Sequence, residues 1–507
     1  MPSTMRLLSL LLVSLSLAAQ FRGGGGPPSP YREANRKLYA EIDKNNELLA
    51  NLEYLCDMIG PRLTGTDKMK TANQWTMKKL QSYGAENARL ESWTIANGWL
   101  RGTASGRVIE PAAHPMTVAS AGWAPSTNGP VRGRLQYVKA NTTQDLEPLK
   151  GQLQGAIVIM AEPSRLTPPG APAGPPGPRP PSALDALAAE RGGPDANVNF
   201  EDRARVRRQM NDFLKKEGVA AVLRDSSKEH GLLNMSGAGG QNFQIGSLPT
   251  AYVPREDYTR LWRLLQRNQP VEMELDIRND VTAGPVEVYN TVAEIRGSEK
   301  PDEYVIVGAH LDSWDLGTGA TDNGTGSVVV LEAARAIQAS GLKPKRTIRF
   351  LLFSGEEQGL VGSREYVKAH KDEMDRVQGA VIHDTGTGRI RSFALNGRYD
   401  IREALDRIVE PLREIGLEEL SMRRSGGSDH MSFAETGVAA FFGIQDPAEY
   451  RKTHHSQSDT FDKAWKDDLI QGAKAVAALA WNLSEHPEKL VRGKPLPQRG
   501  PGATGSN

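Results

Sequence analysis

Val307-Gly308-Ala309-His310-Leu311-Asp312-Ser313-Trp314-Asp315 closes an apolar run that begins at Tyr304-Val305-Ile306. The run is β-branched and carries no polar break, so it reads as a strand buried on both faces, as in a mostly parallel sheet. In open α/β sheets the functional side chains collect where such strands end at their carboxyl edge. His310 and Asp312 stand at that edge. Three further polar clusters lie downstream, Asp322-Asn323-Gly324, Glu356-Glu357 and Asp384, and the last two also follow apolar runs. His454-His455 comes later, on a predicted loop. These segments are expected to converge on one hydrolytic site built around two metal ions.

Around this strand the pattern alternates regularly. Strands are predicted at 304–309, 347–354, 378–383 and 438–444, and helices at 326–339, 362–370, 401–415 and 467–483. Such alternation predicts an α/β domain with a mostly parallel central sheet and helices on both faces. Upstream, 32–52 and 68–83 mix apolar and charged residues at helical spacing, on either side of a glycine-broken turn, Ile59-Gly60-Pro61-Arg62-Leu63-Thr64-Gly65-Thr66. Strand-like segments follow at 89–95 and 100–108. Between 125 and 285 lie short strands at 132–138, 155–160, 218–223, 248–253 and 271–277, with a helix at 257–266. This β-rich block has no convincing catalytic cluster and is expected to be an inserted domain. Within it, 163–194 is crowded with proline and glycine and lacks the apolar content to fold.

The 507 residues suffice for two or three domains. With 62 basic and 61 acidic residues there is no global pull toward nucleic acid or membrane surfaces. Cys56 is the only cysteine, which excludes an internal disulfide and a Cys-based zinc site. Any metal must be held by His, Asp and Glu. Arg6, the apolar run Leu7 to Leu17 and the small pair Ala18-Ala19 read as a secretory signal over 1–19, too short to span a bilayer. No other long apolar segment follows, so no integral membrane span is expected. An exported protein without disulfides fits a bacterial periplasm or the medium.

The chemistry follows from the donors. A neutral His310 offers a ring nitrogen to a metal, and Asp312, two residues on, could take the other ring N–H and fix the tautomer. Asp322 sits in the glycine-rich turn Gly317 to Gly326; with two oxygens it can bridge two metals about 3.5–4 Å apart. Glu356 and Glu357 point in different directions at a strand end, so one can bind a metal while the other takes a proton from the attacking water. One metal would then hold His310, Asp322 and Asp384, and the other Asp322, Glu357 and His455. Each mixed N/O shell leaves room for a shared water, as catalytic zinc requires.

These segments resemble the co-catalytic zinc exopeptidases, the family of the secreted bacterial aminopeptidases and plasma glutamate carboxypeptidase. The resemblance is carried by Gly308-Ala309-His310-Leu311-Asp312-Ser313-Trp314, Gly319 to Gly324, Phe353 to Ser363, His383-Asp384 and His455-Ser456-Gln457-Ser458-Asp459-Thr460. It covers about 290–485 strongly, while the preceding β-rich block looks more loosely like a protease-associated domain. The resemblance implies two Zn²⁺ per chain bound by His310, Asp322, Glu357, Asp384 and His455. It implies Glu356 as general base, taking a proton from water and returning it to the leaving amine, and Asp312 as the orienter of His310. The chain is expected to divide into a signal peptide (1–19), a first part of the peptidase domain (20–124), the insert (125–285), the catalytic remainder (286–487) and a disordered tail (488–507). The expected partners are short peptides, with no nucleic acid; a homodimer is left open.

Aminopeptidase, dipeptidase and carboxypeptidase all remain open at this point. A free amine needs a carboxylate near the site, and a free carboxylate needs Arg or Lys; Arg423 and Arg424 would suit the latter. The turn Ser425-Gly426-Gly427-Ser428-Asp429-His430 is expected near the substrate or behind the ligands. His383 should face away from Asp384 and pack, and His114, His230, His370 and His486 read as surface or loop histidines. The rival from another class is a receptor-like member of the fold that binds peptides without cleaving them.

Overall fold

The computed structural model describes residues 29–140, 144–164, 200–238, 243–384, 386–423 and 425–495. The predicted signal segment, nearly all of the Pro/Gly-rich stretch, Arg424 and the end of the tail lie outside the described residues.

The apolar run becomes β9 (Lys300–His310), fully buried from Tyr304 to its end. Its pleat sorts the side chains between two cores. Val305, Val307 and Ala309 pack with the helices Thr325–Ala339 and Lys466–Glu485. Tyr304 and Ile306 pack with Tyr366 of the helix Val361–Ala369 and Phe433 of the helix His430–Ala434. Helices therefore cover both faces, as the unbroken apolar strand predicts.

β9 lies between two parallel neighbours, β10 (Arg346–Phe353) and β11 (Val377–Ile382). Beyond β11 come β13 (Ala440–Gln445), parallel, and β12 (Ile390–Ala394), antiparallel at the edge. Beyond β10 runs the antiparallel β8 (Glu272–Ile295). Because the strands that follow β9 fall on opposite sides of it, the chain reverses direction across the sheet there. This is the crevice where open α/β sheets place their sites.

β1 (Glu86–Glu110) pairs with β8 as one long antiparallel ribbon, from Glu86↔Glu294 to Glu110↔Glu272. Its base belongs to the central sheet through β10, and its far end carries β4 (Val131–Tyr137). From β4 the insert continues as a parallel set, β5 (Ile157–Ile159), β6 (Ala221–Asp225) and β7 (Thr250–Val253), with β3 (Ala119–Ser120) antiparallel at the edge. β2 (His114–Met116) folds back on β1. The sequence suggests two short strands at 89–95 and 100–108 and a break after 277; β8 is exposed from 280 to 285, and that stretch resembles a loop. Trp99, Ala119 and Trp123 already pack with Met235, Phe243 and Tyr252 of the insert. We therefore place the boundaries of the insert in the ribbon, ahead of 125.

Three local differences have simple causes. The predicted helix at 401–415 stops at Val409 and continues as a 3₁₀ turn over Glu410–Ile415, since Pro411 has no N–H to give. The helix Phe200–Lys216 follows the Pro/Gly-rich stretch and was not expected from its sequence. The tail is not disordered from 488: Leu490 is buried, its N–H donates to Gln378 Oε1 at 3.0 Å, and Gly493 N donates to Gly437 O at 2.9 Å. Among the described residues no helix is long and apolar enough to cross a membrane.

Candidate metal centre

His310 ends β9 with its ring buried. Nδ1 lies 2.9 Å from the carbonyl oxygen of Asp312, and a carbonyl can only accept, so Nδ1 carries the proton. In the neutral ring Nε2 would then offer its lone pair to a metal. It faces Asp384 Oδ1 at 3.2 Å and Asp322 Oδ1 at 3.3 Å. The other oxygen of Asp322, Oδ2, turns the opposite way, 3.4 Å from His455 Nε2. His455 Nε2 in turn lies 2.9 Å from Glu357 Oε2. One carboxylate thus faces two donor sets, His310 with Asp384 and His455 with Glu357.

Asp312 does not hold His310 in the way its spacing suggests. Its carboxylate oxygen is 3.6 Å from Nδ1, farther than its own carbonyl. The carboxylate is occupied elsewhere: it accepts from Thr64 Oγ1 at 3.1 Å and from the N–H groups of Glu356 and Glu357, both at 3.3 Å. Asp312 therefore orients the ring through its backbone and the Glu356-Glu357 turn through its side chain.

The loops are fixed by two buried residues that sequence reasoning did not rank. Arg62, in the turn read only as glycine-broken, donates to Leu311 O, Gly60 O, Thr318 O and Gly319 O at 2.7–3.2 Å. Asp459 accepts from Thr321 N at 2.6 Å, Thr321 Oγ1 at 2.8 Å and Asp322 N at 3.1 Å. It thereby ties the loop of Asp322 to the loop of His455, four residues upstream. Gly319 is required at its position: its φ is +65°, and a Cβ would lie 2.3 Å from Ser313 Cβ.

The charges fit a cation. Burial pushes Glu356 and Glu357 well above the usual carboxylate range; for Glu356, His310 opposes this while Asp384 and Asp429 add to it, and for Glu357 Asp322 adds to it. Burial also raises Asp322, but His310, His454 and His455 outweigh it and hold the carboxyl below its ordinary value. Asp322 Oδ2 is buried and has no hydrogen-bond partner. Buried carboxylates gathered this closely are costly unless a positive charge joins them. The donors are imidazole nitrogens and carboxylate oxygens without sulfur, the set used by catalytic zinc.

Comparison with known proteins agrees with this geometry. Residues 290–480 match the model described as peptidase family M28. Carboxypeptidase Q of Bos taurus is 26% identical over 497 residues, 95% of this chain and 97% of its own. The crystal structure of a peptidase M28 precursor from Shewanella amazonensis is 26% identical, covers 92% of this chain and 99% of its own, and superposes with a TM-score of 0.73. A zinc aminopeptidase from Bacillus subtilis shares the fold, with a TM-score of 0.60 at 20% identity over 92% of this chain and 98% of its own. Fold, donor set and relatives together support a metallo-exopeptidase, a metal-dependent hydrolase. Residues 290–480 are the part that is similar to peptidase family M28.

Other side chains join the site. His454 stacks on His455 with ring centroids 3.7 Å apart, and its Nε2 lies 3.8 Å from Asp322 Oδ2. It is 41% exposed against 13% for His455, which also has the Glu357 contact. The geometry therefore favours His455 as the donor. Tyr450 packs against His454, and burial, reinforced by Asp322 and Asp384, keeps its phenol protonated. Asp429, in the glycine-rich turn, is buried with both carboxylate oxygens unpartnered, and burial pushes it up to about 7. His383 packs as expected, its carbonyl accepting from Asn323 Nδ2 at 2.9 Å. His370 is not a surface histidine; its ring bridges Glu91 at 2.9 Å and Glu373 at 3.1 Å.

Proposed function

We propose that this chain is an exported exopeptidase that uses two zinc ions to hydrolyse a terminal peptide bond of short peptides. The observation that carries the reading is Asp322, whose two oxygens turn to two separate donor sets. His310 and Asp384 would complete one zinc site, and Glu357 and His455 the other. When bound, the ions supply a polarised scissile carbonyl and an acidified water. Glu356 is the base. It is buried beside the donors without belonging to either set, and its raised affinity for protons suits it to take one from water and deliver it to the leaving amine. Asp312 holds the turn that presents Glu356 and Glu357. Export rests on the predicted signal over 1–19.

The receptor-like alternative is disfavoured by the complete donor set and by the family match over the same residues. The test is release of a free amino acid from unblocked dipeptides. Release should stop when a chelator removes the metal and return on adding zinc. Zinc-loaded protein that cleaves no member of a dipeptide panel, blocked or unblocked at either end, would overturn the reading.

A further inference from the structure

We infer that Lys228, carried by the inserted domain, holds the free α-carboxylate of the peptide substrate at the edge of the metal centre, so that dipeptides and carboxyl-terminal bonds are the preferred substrates. This rests on the peptidase reading above and names the end of the peptide that is read.

The insert is seated directly on the loop that bears His455. Met235 N donates to His455 O at 2.8 Å, and Leu233 N to Gln457 Oε1 at 2.8 Å. Gln457 Nε2 returns a bond to Gly231 O at 3.2 Å. At the end of this seam Lys228 Nζ donates to Arg451 O at 2.7 Å, three residues before His454. An ammonium has three protons to give. Among the described residues this bond is the one polar contact of Nζ, and no carboxylate pairs with it.

Two of the other cations near the site, Arg62 and Arg101, are committed. Arg62 is buried and bonded to four carbonyls. Arg101 forms an ion pair with Asp315 at 2.6 Å. The floor itself is acidic, with Asp322, Asp384, Glu356 and Glu357, and would repel a substrate carboxylate not met by a cation. Lys228 is partly buried, which strengthens its pull on an anion. Burial also lowers it to about 8; Arg451 adds to this, while Asp322 and Asp459 oppose it. The bond to Arg451 O, four residues before the donor His455, sets the ammonium at the edge of the centre.

A purely structural lysine would only fasten the insert to the helix Tyr450–Thr453, and the two roles separate experimentally. KM and kcat are measured on the full, zinc-loaded chain with an unblocked dipeptide and with its carboxyl-terminal amide. Lys228→Met should raise KM for the free acid about tenfold to a hundredfold, the range lost with a charged hydrogen bond, with much less change in kcat. The preference for acid over amide should collapse, and Lys228→Arg should restore most of it. In the unaltered protein, KM for the acid should climb as pH rises through about 8 and the ammonium is lost, while KM for the amide should not. The proposal is overturned if Lys228→Met shifts acid and amide alike, or if an Arg423→Ala, Arg424→Ala pair abolishes the preference while Lys228→Met does not. Failure of the unaltered enzyme to cleave either substrate would instead overturn the peptidase reading itself.

Discussion

Glu356→Gln is expected to lower kcat by about 10²- to 10⁴-fold, the range associated with a positioned general base. Zinc content should not change. The amide has the size of the acid, and the backbone N–H of residue 356 keeps its 3.3 Å bond to Asp312. What is lost is the ability to accept a proton. A carboxylate exposed to water would be a weak base near neutral pH; burial corrects this by penalising the charged form, with Asp384 and Asp429 adding repulsion. Because Glu356 belongs to neither donor set, its loss should separate chemistry from metal binding. Turnover within tenfold of the parent in the zinc-loaded variant would move the role of base to another residue.

Asp322→Asn should be as damaging by a different route. The substitution keeps the shape and the N–H that donates to Asp459, but removes the charge shared by both donor sets. Zinc affinity should fall by more than the ~10–100-fold that loss of a supporting contact costs. The rise in melting temperature that zinc gives the parent should largely vanish, because stabilisation by a ligand follows its affinity for the folded state. Full zinc content with normal turnover in this variant would mean that the carboxylate is not a bridge.

The central sheet was legible, and with it the segments of His310, Glu356-Glu357 and Asp384, because each follows an unbroken apolar run; Asp322 and His455 sit on loops and were read from their turn and motif. Tyr304–Val307 has no polar residue, and a strand of that kind is buried on both faces and ends at the site. Asp384, after the run of β11, and Glu356-Glu357, after β10, follow the same rule. His455 was legible within the segment His455 to Thr460, and the structure gives the presence of Asp459 in it a cause, since Asp459 clamps the backbone of Asp322. The role of Asp312 was misread in part, because the choice between its carbonyl and its carboxylate depends on Thr64, some 250 residues away in sequence. The long ribbon was hidden by the exposed stretch of β8 from 280 to 285, which interrupts the alternation on either side of it. Lys228 was invisible for a similar reason: its position beside the centre comes from the docking of one domain on a loop of another.

Titrating metal-free protein with zinc, while following release of an amino acid from an unblocked dipeptide, tests the shared role of Asp322 most directly. Activity should rise until two equivalents per chain are bound, with elemental analysis giving two zinc ions in the fully active protein. Full activity with one ion per chain, or with none, would contradict the account.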